Sequence, residues 1–427
     1  MEHKIDARPH VVILGGGFGG MNAASSLRHA PVRITLVDKH NHHLFQPLLY
    51  QVATAALNPS DIAYPIRRIF RNQRNVTPIL AEAKQVLPEA KKVILVDGEL
   101  SYDFLIVATG ATHSYFGHDE WQRYAPGLKN IEDARAIRSR MLRAFEYAER
   151  ETDPAKAQDW LNFVIVGGGP TGVELAGAFI EIARHTLSED FRHIDPRKAR
   201  VVLLEGTDRI LQTFSPATSK KAEEQLRALG VEVRTKTRVT GIDGEGIWVG
   251  QDRIRARNVI WAAGVAASPL GRSLGVSLDK AGRVPVLPDL TISGHPEIFV
   301  IGDLAAFTQD GETVPGVAPV AIQEGKQVAQ NIRRRLDGES YKPFRYFDKG
   351  MMATIGRAAA VAEIGKLRLS GFIAWMAWLF IHILYLIGFR NRLIVLFDWA
   401  WVYFTYERGA RLITGDDEAQ ESVEKIS

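Results

Sequence analysis

The feature that most constrains the fold is a pattern that occurs twice: an aliphatic strand, a turn with three spaced glycines, and a helix. In such a turn the first glycine permits the tight bend, the second lets the backbone approach a pyrophosphate, and the third lets the helix pack on the strand. The phosphates then lie at the positive end of the helix. The glycines are Gly15, Gly17 and Gly20 in the first copy and Gly167, Gly169 and Gly172 in the second. The sequence therefore predicts two α/β domains that each bind a dinucleotide.

An acidic residue follows each copy at the end of the next strand. Asp38 comes 23 residues after Gly15, and Glu205 comes 38 residues after Gly167. A carboxylate at this position accepts hydrogen bonds from a ribose 2′-hydroxyl and repels a 2′-phosphate, so Glu205 favours NADH over NADPH. Arg209 would soften that preference, although a solvated surface charge is its simpler explanation. One glycine turn is weak evidence because it also occurs as a plain structural bend, but two complete copies argue against coincidence.

Composition limits the chemistry that these domains can perform. The 427 residues include no cysteine, which excludes disulfides, a Cys₄ iron–sulfur cluster, a redox-active dithiol and a thiolate nucleophile. Any redox reaction must therefore use an organic cofactor. The net charge of +4 does not indicate a nucleic-acid partner. The histidines at 40, 42 and 43 lack a carboxylate pair at ligand spacing, so no metal site is expected.

Three later segments, 103–114, 259–269 and 298–307, each read as a buried strand that ends in a small-residue turn or in Asp303. They resemble segments of flavoproteins with two dinucleotide-binding domains. That resemblance implies FAD in the first domain, as a tightly bound group, and an NADH domain inserted into the middle of the FAD domain.

Two further stretches are more specific, FQPLLYQ at residues 45–51 and DKGMMATIGR at residues 348–357. With them the chain, from Val11 through its apolar tail, resembles the type II NADH dehydrogenases, which are single-subunit NADH:quinone oxidoreductases. The resemblance implies hydride transfer from nicotinamide C4 to flavin N5, then two-electron reduction of a membrane quinone. No bundle of spanning helices with buried ionisable residues is evident, so proton pumping is not expected.

The expected fold is α/β, with two Rossmann-like domains and a C-terminal amphipathic helical membrane anchor. The expected domains are 1–120 and 281–345 for FAD, 121–280 for NADH, and 346–427 for membrane anchoring and the quinone site.

The resemblance also implies particular contacts. Besides the glycines, it assigns cofactor binding to Asp38, Lys39, Thr109, Gly110, Asp303, Ala318, Glu205 and Gly264. The helix that begins near Ala318 would direct its first N–H groups at the pyrimidine edge of the flavin, where negative charge develops on reduction. Quinone contacts are assigned to Gly316, Pro319, Gln323 and Met352. Many family members have AQ-x-A-x-Q at this helix start, but here Pro319 replaces the first glutamine, so backbone N–H groups or Gln323 are expected to take over.

Two charged residues are expected to act in catalysis. The resemblance implies that Glu174 and Lys349 approach each other near the flavin and handle the proton that accompanies hydride transfer and quinone reduction. The alternatives remain open: Glu174 also suits a first-turn acid favoured by the helix dipole, and Lys349 also suits an ordinary surface lysine.

The tail raises the question of how the chain meets a membrane. The stretch 371–389 carries no Asp, Glu, Lys or Arg and, as one helix, would reach roughly 28 Å, close to the hydrocarbon thickness. Basic residues flank it on both sides, and the next apolar run, 393–406, is too short to return and contains Asp398. We therefore favour two helices that lie in the interface of an anionic lipid surface, with tryptophans and tyrosines at headgroup depth. A single crossing and burial in a homodimer interface remain alternatives.

The expected location is the cytoplasmic face of the cell inner membrane, as a peripheral protein, where NADH and quinone both have access. The main competing hypothesis is a soluble NAD(P)H-dependent reductase of a small iron–sulfur protein, which leaves the apolar tail unexplained. A non-enzymatic scaffold has no support from two intact cofactor motifs, and the absence of cysteine removes the usual chemistry of sulfide:quinone and disulfide reductases.

Overall fold

The computed structural model describes residues 7–413, which divide into two compact units that are each built from separated stretches of chain. The first unit contains the residues up to Leu44, Ala63–Thr112 and Val265–Asp348. The second contains Phe45–Ile62, His113–Gly264 and the chain from Lys349 onward.

A six-stranded sheet forms the centre of the first unit. In spatial order its strands are Thr291–Ile292, His295–Val300, Phe104–Val107, His10–Leu14, Arg33–Asp38 and Val76–Leu80. All neighbours are parallel except the first pair. The central strands are buried on both faces, which explains their nearly continuous runs of Val, Ile and Leu.

Helices cover one face of this sheet, and a small antiparallel sheet covers the other. The helices of this unit are Phe18–Ser26, Ile66–Ile69 and Ala318–Leu336, and the small sheet contains Ala83–Leu87, Lys92–Leu95 and Glu99–Ser101. The first and last of these helices touch backbone to backbone, because a Cβ on Gly325 would collide with the carbonyl oxygen of Gly19.

The second unit has its own parallel sheet of four strands. Their order is Glu232–Arg234, Arg200–Leu204, Asn162–Val166 and Asn258–Trp261. The helices of the same unit are Leu49–Ala53, Pro59–Ile62, Ile131–Arg150, Pro154–Leu161, Pro170–Glu181, Pro216–Leu229, Phe372–Tyr385 and Phe389–Thr405. The long helix from Ile131 begins with a capping box, in which Asn130 and Asp133 satisfy each other's backbone N–H groups.

Two antiparallel sheets complete the second unit. One contains Gly241–Asp243, Gly246–Val249 and Asp252–Arg255, and the other contains Met351–Gly356, Ala359–Ile364 and Leu367–Ser370. The second sheet packs directly on the helix Pro170–Glu181, since a Cβ on Gly177 would collide with the carbonyl oxygen of Ile355. The DKGMMATIGR stretch therefore lies against the helix that follows the second glycine turn.

The apolar stretch 371–389 is not one helix. The first tail helix ends at Tyr385, Leu386 has extended backbone, and Gly388 has a φ of +92° before the second tail helix begins at Phe389. Within residues 7–413, none of the helices combines the length and the apolar character that crossing a membrane requires.

Candidate functional site

The first glycine turn is held open by the backbone and by Asp38. Gly15 has a φ of +105°, and a Cβ there would collide with the carbonyl oxygen of Ala108. The Gly16 N–H donates to Oδ2 of Asp38 at 2.5 Å. A Cβ on Gly17 would meet nothing within 4 Å, so the backbone there faces open space. Asp38 braces the turn and keeps lone pairs for a ribose hydroxyl.

The other residues assigned to FAD lie in the same unit. The Thr109 hydroxyl is buried and, among the described residues, has no hydrogen-bond partner. Gly110 has a φ of +67°, and Lys39 is exposed. The helix that begins at Ala318 has Val317 at its N-cap and no side-chain cap. A lone buried hydroxyl, an open glycine turn and an uncapped helix N-terminus all fit a bound dinucleotide.

A buried acid that the sequence reasoning missed supports this region. Glu324 is 1% exposed, and its Oε2 accepts a hydrogen bond from the Gly302 N–H at 2.6 Å. Burial raises the pKa of Glu324 to about 7. It therefore holds the turn that carries Asp303. The available signal was an acid between Ala321 and Val328 on the buried face of the helix.

The residues predicted to contact quinone are already engaged locally. Gln323 makes two hydrogen bonds to the Phe347 backbone, each at 3.0 Å. Its Nε2 donates to the Phe347 carbonyl oxygen, and its Oε1 accepts from the Phe347 N–H. Pro319 occupies the first turn of its helix, where its missing N–H costs no hydrogen bond. A Cβ on Gly316 would lie 3.1 Å from Oδ1 of Asp303. A quinone bond from Gln323 would have to share or replace the Phe347 contacts.

The second glycine turn repeats the geometry of the first. Gly167 has a φ of +111°, and a Cβ on Gly169 would meet nothing within 4 Å. Oε2 of Glu205 accepts from the Gly168 N–H at 2.7 Å, and its Oε1 accepts from the Thr207 N–H at 2.8 Å. As with Asp38, the acid first fixes the loop into which a nucleotide would fit. Gly264, with a φ of +91°, lies against the ring of Phe116.

Glu174 lines a cavity of about 90 Å³ inside the second unit. Its carboxylate accepts a hydrogen bond from the Thr354 N–H, but burial has the larger effect and raises the pKa of Glu174 to about 8. The cavity also receives Ala178 and Glu181, one and two turns further along the same helix face. A carboxyl group with a pKa near 8 is suited to give and take a proton at neutral pH.

Three side chains from distant parts of the chain form a hydrogen-bonded row beside this cavity. Trp399 Nε1 donates to Oε1 of Gln51 at 2.7 Å, and Nε2 of Gln51 donates to Oη of Tyr50 at 2.8 Å. Burial raises the pKa of Tyr50, and the negative charge of Glu174 raises it further. Tyr50 therefore stays protonated at neutral pH.

A buried ion pair also lines the cavity. Arg408 and Glu181 have side chains that are 6% and 13% exposed, with Nη2 and Oε2 3.3 Å apart. Nη1 of Arg408 also donates to the Thr54 carbonyl oxygen at 2.8 Å, and the Arg357 N–H donates to Glu181. Burial raises the pKa of Glu181, although Arg408 opposes this effect.

Lys349 and Met352 lie on the segment that enters the C-terminal sheet. Lys349 is exposed, and its Nζ donates to Oη of Tyr385 at 3.0 Å. Met352 is partly buried against the small cluster that includes Ala374. Because the described contacts of Lys349 and Glu174 are with different groups, their mutual approach stays a prediction.

The two tail helices pair through aromatic rings and leave an apolar face exposed. Trp375 stacks on Tyr403 with centroids 5.3 Å apart, and Trp378 lies 5.4 Å from Trp399. The exposed face has one strongly exposed side chain about every helical turn. Its main members are Phe372, Ile373, Met376, Phe380, Leu384, Phe389, Leu393, Leu396, Phe397, Trp401 and Phe404.

Comparison with known proteins gives a consistent result. The pyridine nucleotide-disulphide oxidoreductase family model matches residues 9–325, and the model for the NDH2 C-terminal domain matches residues 349–406. A type II NADH:quinone oxidoreductase of Mycobacterium tuberculosis is 47% identical over 95% of this chain and 90% of its own length. A Staphylococcus aureus protein of the same name is 31% identical over 84% of this chain and 90% of its own length.

Solved structures agree at the level of fold. The structure of NDH2 from Plasmodium falciparum in complex with NADH matches with a TM-score of 0.86 and 20% identity, and the match covers 96% of this chain and all of that one. At this identity the likeness concerns the fold alone. It supports the α/β fold that the sequence predicted.

Proposed function

The chain belongs to the type II NADH:quinone oxidoreductases, and from that premise we propose which of its residues perform each part of the reaction. The expected fold, the flavoprotein class and NADH:quinone oxidoreduction are confirmed by this membership. The observation that carries the assignment to particular residues is the pair of open glycine turns, one in each unit, each braced by its own acid.

FAD fits the first unit and NADH fits the second. The first unit offers the open face at Gly17, the orphaned Thr109 hydroxyl and the uncapped helix start at Ala318. When bound, FAD supplies two-electron chemistry between a nicotinamide and a quinone. The domain division proposed for these roles is 1–120 with 281–345 for FAD and 121–280 for NADH.

Glu174 is the proposed proton donor to the reduced quinone. Its pKa near 8 keeps it protonated at neutral pH, and it lines a cavity rather than open solvent. Lys349, Gly316, Pro319, Gln323 and Met352 remain the proposed quinone-side residues. They are supported by the resemblance of their segments to the family.

The lipid surface is the proposed partner of the exposed face on the tail helices. Phe380, Phe397 and Phe404 are 66%, 74% and 79% exposed, and an apolar face of this size is costly in water. Each tail helix is too short to cross: 14 and 17 residues span roughly 21 and 26 Å. Lying flat, with Arg390 and other basic residues near anionic headgroups, satisfies both facts.

Three further parts of the proposal concern assembly, location and energetics. We expect a homodimer, attachment at the cytoplasmic face of the inner membrane where NADH is available, and no proton pumping. Supporting arguments are the exposed apolar area of the tail and the absence, within the described residues, of a helix able to span a bilayer.

An anaerobic flavin titration tests the function. Purified protein reconstituted with FAD should lose its visible flavin absorbance on addition of NADH and regain it on addition of a short-chain quinone. A protein that bleaches with NADH and recovers only with a small iron–sulfur protein would instead support the competing reductase. A protein that binds no FAD would refute both.

A further inference from the structure

The row Trp399–Gln51–Tyr50 fixes the direction in which each of its hydrogen bonds runs. An indole N–H only donates, so Gln51 must turn its carbonyl oxygen toward Trp399. The amide nitrogen of Gln51 then faces Tyr50 and donates to the phenol oxygen. Because Tyr50 accepts this bond, its own hydrogen is left to be donated elsewhere.

Tyr50 lines the cavity, so the other groups that line it are the candidates to receive that hydrogen. The charged and titratable groups that line it are Tyr50, Glu174, Glu181, Arg357, Tyr403 and Arg408. Glu181 already accepts from the Arg357 N–H and from Arg408, whereas the described partner of Glu174 is the Thr354 N–H. Glu174 therefore keeps lone pairs for a further donor, whereas those of Glu181 are largely used.

From this geometry we propose that Tyr50 is a positioning residue for Glu174: its O–H points into the cavity that both side chains line and reaches the Glu174 carboxyl group through a water molecule held there, and the Trp399–Gln51 contacts hold that O–H in place. The inference rests on the proposed role of Glu174 as proton donor to the quinone. When Glu174 gives up its proton, Tyr50 stabilises the carboxylate that remains. Tyr50 keeps its own proton throughout. The row Trp399–Gln51–Tyr50 therefore orients Glu174 and does not carry a proton.

The row also has a consequence for the tail. Trp399 lies on the second tail helix, more than 340 residues from Gln51 in the sequence. The geometry of the proton donor is thus set in part by the helical pair that we assign to the lipid surface. A change that moves Trp399 should alter quinone reduction without altering nucleotide binding.

Tyr50→Phe tests the inference because it removes only the hydroxyl. Glu174 should then be harder to ionise, so the alkaline fall of the quinone-reduction rate should move up by about one pH unit. The limiting rate of quinol formation at neutral pH should drop about tenfold, as expected for one lost hydrogen bond to a charged group. Flavin reduction by NADH, measured in a separate half-reaction, should be unchanged.

Other variants separate a local effect from a general one. Trp399→Phe should move the alkaline fall of the quinone-reduction rate in the same direction by a smaller amount. Glu174→Gln should abolish that alkaline fall. Tyr50→Phe combined with Glu174→Gln should add nothing to Glu174→Gln alone. Tyr147→Phe and Trp160→Phe, a ring pair elsewhere in the same unit, are the matched controls and should leave the profile in place.

The outcomes are distinguishable. An active wild-type enzyme whose pH limb stays fixed in Tyr50→Phe would overturn the inference and leave the proposed function intact. A wild-type protein that does not reduce quinone would overturn the proposed function itself. If Tyr50→Phe does not fold, Trp399→Phe decides, and an unmoved limb in that variant refutes the positioning role.

Discussion

Replacing Arg408 with methionine should strongly destabilise the second unit. Methionine preserves the apolar stem but leaves Glu181 buried without its cation and the Thr54 carbonyl without its donor. Removing one member of a buried ion pair typically costs about 3–5 kcal/mol. At roughly 2–4 °C per kcal/mol for a unit of this size, the midpoint of thermal unfolding should fall by about 10 °C.

The protein itself supplies a suitable probe. All eight tryptophans lie in the second unit, so tryptophan fluorescence follows the unfolding of that unit and not of the first. Lys220→Met is the matched control, because Lys220 and Glu224 form an exposed pair with side chains that are 78% and 62% exposed. Loss of an exposed pair should cost less than about 0.5 kcal/mol.

The double variant separates the cost of an unpaired charge from the loss of the pair itself. Glu181→Gln retains an oxygen that accepts from the Arg357 N–H but carries no charge. Arg408→Met with Glu181→Gln should therefore recover most of the stability, to within about 1–2 kcal/mol of wild type. The explanation is wrong if the free energy of unfolding of the double variant falls by the sum of the two single-variant decreases. It is also wrong if Arg408→Met alone lowers that free energy by less than about 1 kcal/mol.

The pH dependence of Arg408→Met has a definite sign. Burial already raises the pKa of Glu181, and removal of Arg408 should raise it further. An acid whose pKa is raised by folding stabilises the protein at low pH and loses that contribution as pH rises. The variant should thus be least impaired at acidic pH, near the ordinary pKa of a glutamate, and increasingly impaired as the pH rises above it.

Two more predictions follow from exposed and loop residues. Phe397→Asp should weaken binding to anionic vesicles in a flotation assay, while flavin reduction by NADH continues. Val96→Asp changes an exposed apolar residue of the other unit and should leave vesicle binding unchanged. Equal binding of both variants would refute the assignment of the lipid-facing surface to the tail helices. Glu205→Gln brings an amide donor against the Gly168 and Thr207 N–H groups, so KM for NADH should rise roughly tenfold with little change in kcat, and an unchanged KM would remove Glu205 from the nucleotide site.

Local features were predictable from the sequence. A glycine that needs a positive φ, such as Gly15, is specified by neighbours within a few residues. The acid follows because it ends the next aliphatic strand, wherever that strand falls in the sequence. For the same reason the two turns and their bracing acids, Asp38 and Glu205, correspond to patterns that are visible without a structure.

The cavity around Glu174 was not predictable in this way. Its lining comes from four separated stretches, around Tyr50, Glu174, Thr354 and the tail, and no local pattern records that they meet. Only the position of Glu181 is indicated by the sequence, because Glu181 follows Glu174 by seven residues on an otherwise apolar helix face. Arg408 follows the apolar run 393–406 in the sequence, where a solvated charge is the ordinary expectation, whereas the structure buries it.

The break at Gly388 decides how the tail can be used. Composition alone permits a single span, because residues 371–389 contain no Asp, Glu, Lys or Arg. In the structure the first tail helix nevertheless ends at Tyr385, because Leu386 has extended backbone and Gly388 has a φ of +92°. With that turn, Trp399 of the second tail helix lies beside Trp378 of the first and reaches Gln51. A continuous spanning helix would carry Trp399 away from Gln51 and leave Tyr50 without its fixed orientation. The same short helices that suit a lipid surface are therefore also required to hold the group that faces Glu174.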